Sequence, residues 1–263
     1  MTAPSSHDQI KVLKTLRLVL FFAVVAASLF TMWTPENILN NKSFLIEKDA
    51  TLPEPVEGIN NSLVTDNQPN QKIGIIVGHH GFAPYGIPDP GAVCESDGLK
   101  EVDINLRIAT LLKQELIQDG FTVELLDETD ERLEGYEALA VISIHSDTCA
   151  YINDNATGFK VKAAPLTTHP ELAERLASCI INRYAAVTGL QYHNLVTKDM
   201  AEYHAFEKFA GVTPSVIVEA GYMLLDREIL TERPGTIAKG LADGIRCFAY
   251  NEPINPISTS EGD

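Results

Sequence analysis

The chain has 263 residues, enough for one sizeable core or two small ones, and a formal net charge of −16. Lys11, Lys14 and Arg17 against Asp8 give residues 1–35 a charge of +2, which leaves −18 on the remainder. So acidic a body repels polyanions, and nucleic acid is not an expected partner.

Residues 1–17 are polar and basic, and residues 18–33 then read LVLFFAVVAASLFTMW without a charge. That run is short for a full span and long for the apolar region of a signal peptide. Val25-Ala26-Ala27 suits cleavage after Ala27, whereas Trp33 suits a membrane interface. The basic residues precede the run, so the N-terminus should stay in the cytoplasm and the body should be exported. The expectation is a stub and uncleaved anchor over 1–35, acting as a membrane tether. Residues 36–71, rich in Asn, Pro, Glu and Ser, read as a flexible linker, and 253–263 as a disordered tail.

Strands and helices alternate between these segments, over 72–252. Residues 73–77 are an apolar run that breaks at Gly78-His79-His80-Gly81. Residues 101–119 put Val102, Leu106, Ala109, Leu112 and Leu116 on one side of a helix, with Gly120 placed to end it. Strands are expected over 121–126, 139–144, 158–163 and 215–219, with an acidic connection over 127–137. A helix with Thr168 as N-cap candidate and Pro170 in its first turn should end at Gly189, and another should run from Pro234 to about Tyr250. Residues 191–209 are ambiguous. The fold class is α/β: an open, twisted, mostly parallel sheet with helices on both faces.

Ligand sites in such sheets lie beyond the carboxyl ends of the strands. His79 follows the first strand, His145 ends the 139–144 strand, Glu219 ends the 215–219 strand, and Glu101 opens the first helix. A catalytic zinc takes three protein ligands from His and Asp or Glu and keeps a fourth position open. His79, Glu101 and His145 meet that description, and Glu219 is the candidate base. Taken singly, each has an ordinary explanation: a hydrogen-bonded loop histidine, an acid favouring a helix N-terminus, a solvated strand end. Their joint occurrence at strand ends, with Gly78, Gly81 and Gly221 beside them, favours one metal site. These ligand types do not exclude manganese or cobalt.

The segments GHHG (78–81), DPGAV (89–93), LKEVDINLRIATLLKQEL (99–116), SIHSD (143–147) and PSVIVEAGYM (214–223) resemble, in order, the zinc-dependent N-acetylmuramoyl-L-alanine amidases. The resemblance spans the whole expected globular part. It implies His79, Glu101 and His145 as ligands of one Zn2+ per chain and Glu219 as the catalytic glutamate. The implied reaction cleaves the amide between N-acetylmuramic acid and L-alanine in peptidoglycan, at the outer face of the membrane or in the cell wall. His80 stands where the family has a small glycine and is the alternative ligand. Ser146-Asp147 replaces Ala-Asn, Leu225-Asp226 replaces an asparagine, and the helix and arginine motif before His145 look shortened or lost. His204 and Tyr203 are candidate cleft donors to the oxyanion, and His193 is a weaker one. Cys149 lies close enough in sequence to His145 to reach a metal, though a thiolate would quench its Lewis acidity. The four cysteines, Cys94, Cys149, Cys179 and Cys247, form no CxxC pair, so a zinc knuckle is not expected. Cys94 and Cys149 either bridge the mouth of the site or stay isolated thiols. Two other readings remain open: a zinc peptidase or amidohydrolase on another exported amide, and a silent wall-binding module.

Overall fold

The computed structural model describes residues 71–254 apart from 84, 85, 166 and 210. The expected stub and anchor over 1–35, the linker up to residue 70 and the tail beyond residue 254 lie outside the described residues. Among the described residues no helix is long and apolar enough to cross a membrane.

Five strands form the main sheet: β1 (Lys72–Val77), β4 (Thr122–Asp127), β5 (Ala140–Asp147), β6 (Lys160–Ala163) and β7 (Ser215–Tyr222). Their order is β4-β1-β5-β7-β6, parallel throughout except for β6, which runs antiparallel to β7. β2 (Phe82–Ala83) and β3 (Ile87–Pro88) make a separate small hairpin in the loop after β1. The central strands are buried on both faces, as their unbroken apolar runs require. β7 extends beyond the expected 215–219 because pairing resumes at Asp147 and Tyr222 after a register shift past His145.

The three long helices are α1 (Glu101–Gln118), α2 (Pro170–Thr188) and α5 (Pro234–Ala249), the last preceded by the short α4 (Arg227–Thr231). All three pack on one face, against Ile73, Ile75, Ile142, Ile144, Val216 and Val218. The expectation of helices on both faces is met by long helices on one face and only short helical turns on the other. The opposite face, with Ile76, Leu126, Val141 and Ile217, is covered by Leu133 and Tyr136 from the β4–β5 connection and by Met200 and Phe206. The reason is topological. A right-handed return from β4 past β1 to β5 must cross that second face, and residues 128–139 have length for only one 3-10 turn, Glu131–Leu133. The ambiguous 191–209 segment likewise gives only α3 (Lys198–Ala201) and a 3-10 turn, His204–Glu207.

Two local expectations shift. The buried stripe of α1 is Ile104, Ile108, Ala109, Leu112 and Leu116, while Leu106 is exposed. Burying a leucine such as Leu112 completely contributes about 1.5–3 kcal/mol. Thr168 does not cap α2; the N-cap is His169, without a side-chain bond, and the Thr168 hydroxyl donates to the Gly211 carbonyl at 2.9 Å. α2 ends at Gly189 as expected, with φ of 72°.

All four cysteines are bonded. Cys94–Cys149 joins the loop before α1 to the loop after β5, and Cys179–Cys247 staples α2 to α5 across 68 residues of sequence. Closing so long a loop in the unfolded chain stabilises by about 2–4 kcal/mol. A Cys179→Ala/Cys247→Ala variant should therefore lose about that much in urea unfolding. An unchanged midpoint would show that the staple adds nothing to the packing of α2 on α5.

Candidate metal centre

The site begins where β1 stops. Gly78 continues the ladder, its N–H donating to the Ile144 carbonyl at 3.0 Å, and the chain then turns at His79. His79 has a φ of 63°, a left-handed conformation that residues with a Cβ seldom adopt. Its N–H donates to Oε2 of Glu128 at 2.8 Å. The turn brings Nε2 of His79 to 3.3 Å from Oε2 of Glu101, while Nδ1 lies 3.1 Å from Oδ2 of Asp89.

Glu101 opens α1 and points inward, 5% exposed, so it is not a solvated helix-dipole acid. Its Oε1 accepts from the Ser146 N–H at 3.1 Å and from Nδ2 of Asn105 at 3.2 Å, and its Oε2 accepts from the Ala92 N–H at 3.0 Å. Nδ1 of His145 stands 3.3 Å from that same Oε1. Asn105, one turn along α1, also donates to the Gly78 carbonyl and accepts from the Ser146 hydroxyl. Ser146 and Asp147 both line the cleft, but the Ser146 groups are engaged by Glu101 and Asn105, and Asp147 is bound to Nζ of Lys160.

Glu219 sits opposite His145 in the β5–β7 register, so the pleat sends both side chains to the same side of the sheet. Its Oε2 and Nε2 of His145 are buried polar atoms without an aligned hydrogen bond. Burial pushes Glu219 up to about 7; the His145 charge opposes this and the Glu101 charge adds to it. Burial would depress both imidazoles, but neighbouring carboxylates outweigh it. Glu101 and Asp89 hold His79 up at about 9, and Glu101 and Glu128 hold His145 at about 10. Burial alone would raise Glu101; the two histidines instead hold it well below the carboxylate range.

His79, Glu101 and His145 offer ligand atoms within 4.8 Å of one another, close enough to hold a metal ion. Other features fit that occupant. Two imidazoles and one carboxylate are a common donor set for a divalent metal. A Cβ added to Gly91, at φ of 64°, would lie 2.5 Å from Oε2 of Glu101 and 2.6 Å from the His79 ring, and one on Gly78 would lie 2.5 Å from the His145 ring. Of the three glycines expected to flank the site only Gly78 backs onto it, since Gly81 faces Asp127 and Gly221 faces Asp226.

The cluster lies in a cleft of about 500 Å³ that also exposes Asp147, Asp199, Glu202 and His204. Tyr203 lines the cleft too, but its hydroxyl is 2.8 Å from that of Ser143 and its ring meets His145 edge-on. His80, the alternative ligand, turns away: its Nδ1 is 2.6 Å from Asp127, and it does not line the cleft. The peptide geometry of the turn sends adjacent side chains in different directions, and the left-handed residue is His79. Cys149 is bonded to Cys94 and offers no thiolate, and His193 is bound to the Thr157 carbonyl, outside the cleft. Glu128 was missed from the sequence. The signal was its place one residue after β4, the parallel neighbour of β1, which puts it at the same carboxyl edge.

Residues 73–247 match the family model described as N-acetylmuramoyl-L-alanine amidase (Amidase_3). No curated protein matches significantly. Among solved structures, the CwlD amidase of Clostridioides difficile, in complex with the GerS lipoprotein, is 22% identical with a TM-score of 0.56, covering 69% of this chain and 100% of its own. An N-acetylmuramoyl-L-alanine amidase of Clostridium difficile 630 is 16% identical with a TM-score of 0.53, covering 69% and 98%. Ami1 of Mycobacterium smegmatis is 17% identical with a TM-score of 0.50, covering 68% and 97%. At these identities the likeness concerns the fold. The family match runs from β1 into α5, through every element that supplies the cluster, and the chain belongs to the N-acetylmuramoyl-L-alanine amidase family.

Proposed function

We propose that this chain is a zinc-dependent hydrolase that cleaves the amide between N-acetylmuramic acid and L-alanine in peptidoglycan or its fragments. The observation that carries the reading is the convergence of His79, Glu101, His145 and Glu219 in one cleft of a chain from this family. In this reading His79, Glu101 and His145 hold the zinc. When bound, the metal supplies Lewis acidity, stabilising the negative charge that develops on the scissile carbonyl oxygen.

The chain's own groups handle the protons. Oε2 of Glu219 is free of hydrogen bonds, buried, and poised near neutrality. It can take a proton from the attacking water and return it to the departing amine nitrogen, so that water adds across the C–N bond and no net proton is consumed. Ionised Glu101 is held by neutral donors from three directions, which keeps it a ligand rather than a proton carrier. His204 lines the cleft and is proposed as a donor to substrate, whereas the Tyr203 hydroxyl is already engaged by Ser143. The short β4–β5 connection holds a single 3-10 turn in place of the helix and arginine motif that the family carries there. That favours a second reading, in which the same centre cuts another exported amide.

An extracytoplasmic setting is part of the proposal. Both disulfides suit an oxidising compartment, and residues 18–33 would provide the tether unless cleavage follows Ala27. The catalytic domain is taken as residues 72–252.

Glu219→Gln should keep one zinc per chain and lower turnover about 10²- to 10⁴-fold. The assay is stem-peptide release from muropeptides, read by mass spectrometry beside the metal-stripped wild type. Wild-type release that survives removal of the metal would refute the zinc mechanism, and cleavage of a different amide alone would leave the second reading.

Metal binding should depend steeply on pH. With His79 held up at about 9 and His145 at about 10, the metal-free site carries protons throughout the neutral range, and these must leave as the metal enters. Zinc affinity should rise by about ten- to a hundredfold per pH unit from pH 6 to 8, with proton release measurable by calorimetry in buffers of different ionisation enthalpy. A flat profile would mean that the histidines are not the ligands.

A further inference from the structure

We propose that Glu128 is a positioning residue for both histidines of the metal centre. The inference rests on the reading of His79, Glu101 and His145 as the metal ligands. Val77 and Asp127 are paired in the β1–β4 register, so the residues that follow each strand leave the sheet side by side. The Glu128 N–H donates to the His80 carbonyl at 3.2 Å, which fixes the start of the β4–β5 connection against the turn after β1. From there the side chain reaches back under the cluster and is nearly buried, 9% exposed.

Its two oxygens do different work. Oε2 accepts from the His79 N–H at 2.8 Å. That amide belongs to the residue with φ of 63°, a conformation that persists only where its surroundings hold it. The bond therefore supports the turn that aims the His79 ring at Glu101. Oε1 stands 3.5 Å from Nε2 of His145, the buried nitrogen with no aligned partner, while Nδ1 of the same ring faces Glu101. A histidine that binds a metal through one nitrogen is oriented by what its other nitrogen meets, and a carboxylate there fixes the ring and raises its basicity as a ligand.

Asp89 stands in the same relation to Nδ1 of His79, at 3.1 Å, but from an exposed loop with its side chain 47% accessible. Each imidazole thus has one nitrogen toward Glu101 and the other toward a second carboxylate. Glu128 is the second carboxylate that meets both histidines, His79 through its backbone N–H and His145 through its ring.

The test uses the full chain stripped of metal, with Zn2+ and Co2+ alone as probes. Zinc affinity is measured by competition with a chromogenic chelator for wild type, Glu128→Gln and Glu128→Ala. The Co2+ absorption spectrum and the melting point of the metal-free protein are recorded for each. Gln keeps an acceptor for the His79 N–H but brings no anion to His145; Ala removes both. The expected order of affinity is wild type, then Gln, then Ala, with Ala about 10- to 100-fold weaker. Both variants should shift the Co2+ bands, and Gln should melt close to wild type. Affinities within twofold of wild type with superimposable Co2+ spectra would overturn the proposal. So would a loss of affinity that merely follows a loss of metal-free stability, which would make Glu128 a fastener of the fold. Failure of the wild type itself to bind either ion would overturn the metal-centre reading as well, a result distinct from the other two.

Discussion

A carboxylate with almost no access to water is costly unless donors surround it. Glu101 meets that demand with the Ala92 N–H from the preceding loop, Asn105 from its own helix and the Ser146 N–H from the end of β5. Two imidazoles, one in the turn after β1 and one in β5, complete the shell. Because the donors come from segments far apart in sequence, satisfying this one group fixes those segments to one another. The loop, the first turn of α1 and the ends of β1 and β5 are positioned by the same requirement. The cleft is the space left above them.

Electrostatics reinforce the arrangement. Acidic side chains dominate the described lining of the cleft, which includes neither lysine nor arginine. Lys160, the nearest basic side chain on the neighbouring edge strand, is taken up by Asp147 and lies over the Tyr222 ring. A body with a large negative charge and a cleft of the same sign focuses its field there and favours a cation inside. The two imidazoles answer that field with protons when no metal is bound.

Much of this was legible in the sequence because periodicity and strand ends report on topology. The apolar runs gave the central strands, and the residues just after them, His79, His145 and Glu219, met where parallel strands end. What was not legible depended on tertiary context. Leu106 fits an apolar stripe by spacing, yet α1 rolls so that Ile104 and Ile108 face the sheet. Thr168 has the chemistry of a cap but is drawn to the Gly211 carbonyl. Between His79 and His80 the deciding quantity was a backbone dihedral, which composition does not carry. Glu128 sat in an acidic stretch that reads as a solvated connection, and only the pairing of β4 with β1 turns it inward. The second face carries only short helical turns, for want of chain length in the β4–β5 connection.

The Cys94–Cys149 bridge ties the loop that leads into Glu101 to the loop that leaves His145. In a compartment where thiols stay reduced, that tie does not form. The two loops at the mouth of the cleft are then held only by noncovalent contacts while the chain is being made. If the chain is exported as proposed, oxidation there would lock them together, and the proposed hydrolase would gain its fastened entrance in the compartment that holds its wall substrate. On that proposal the covalent connectivity implies an order of events, with translocation first and closure of the frame second.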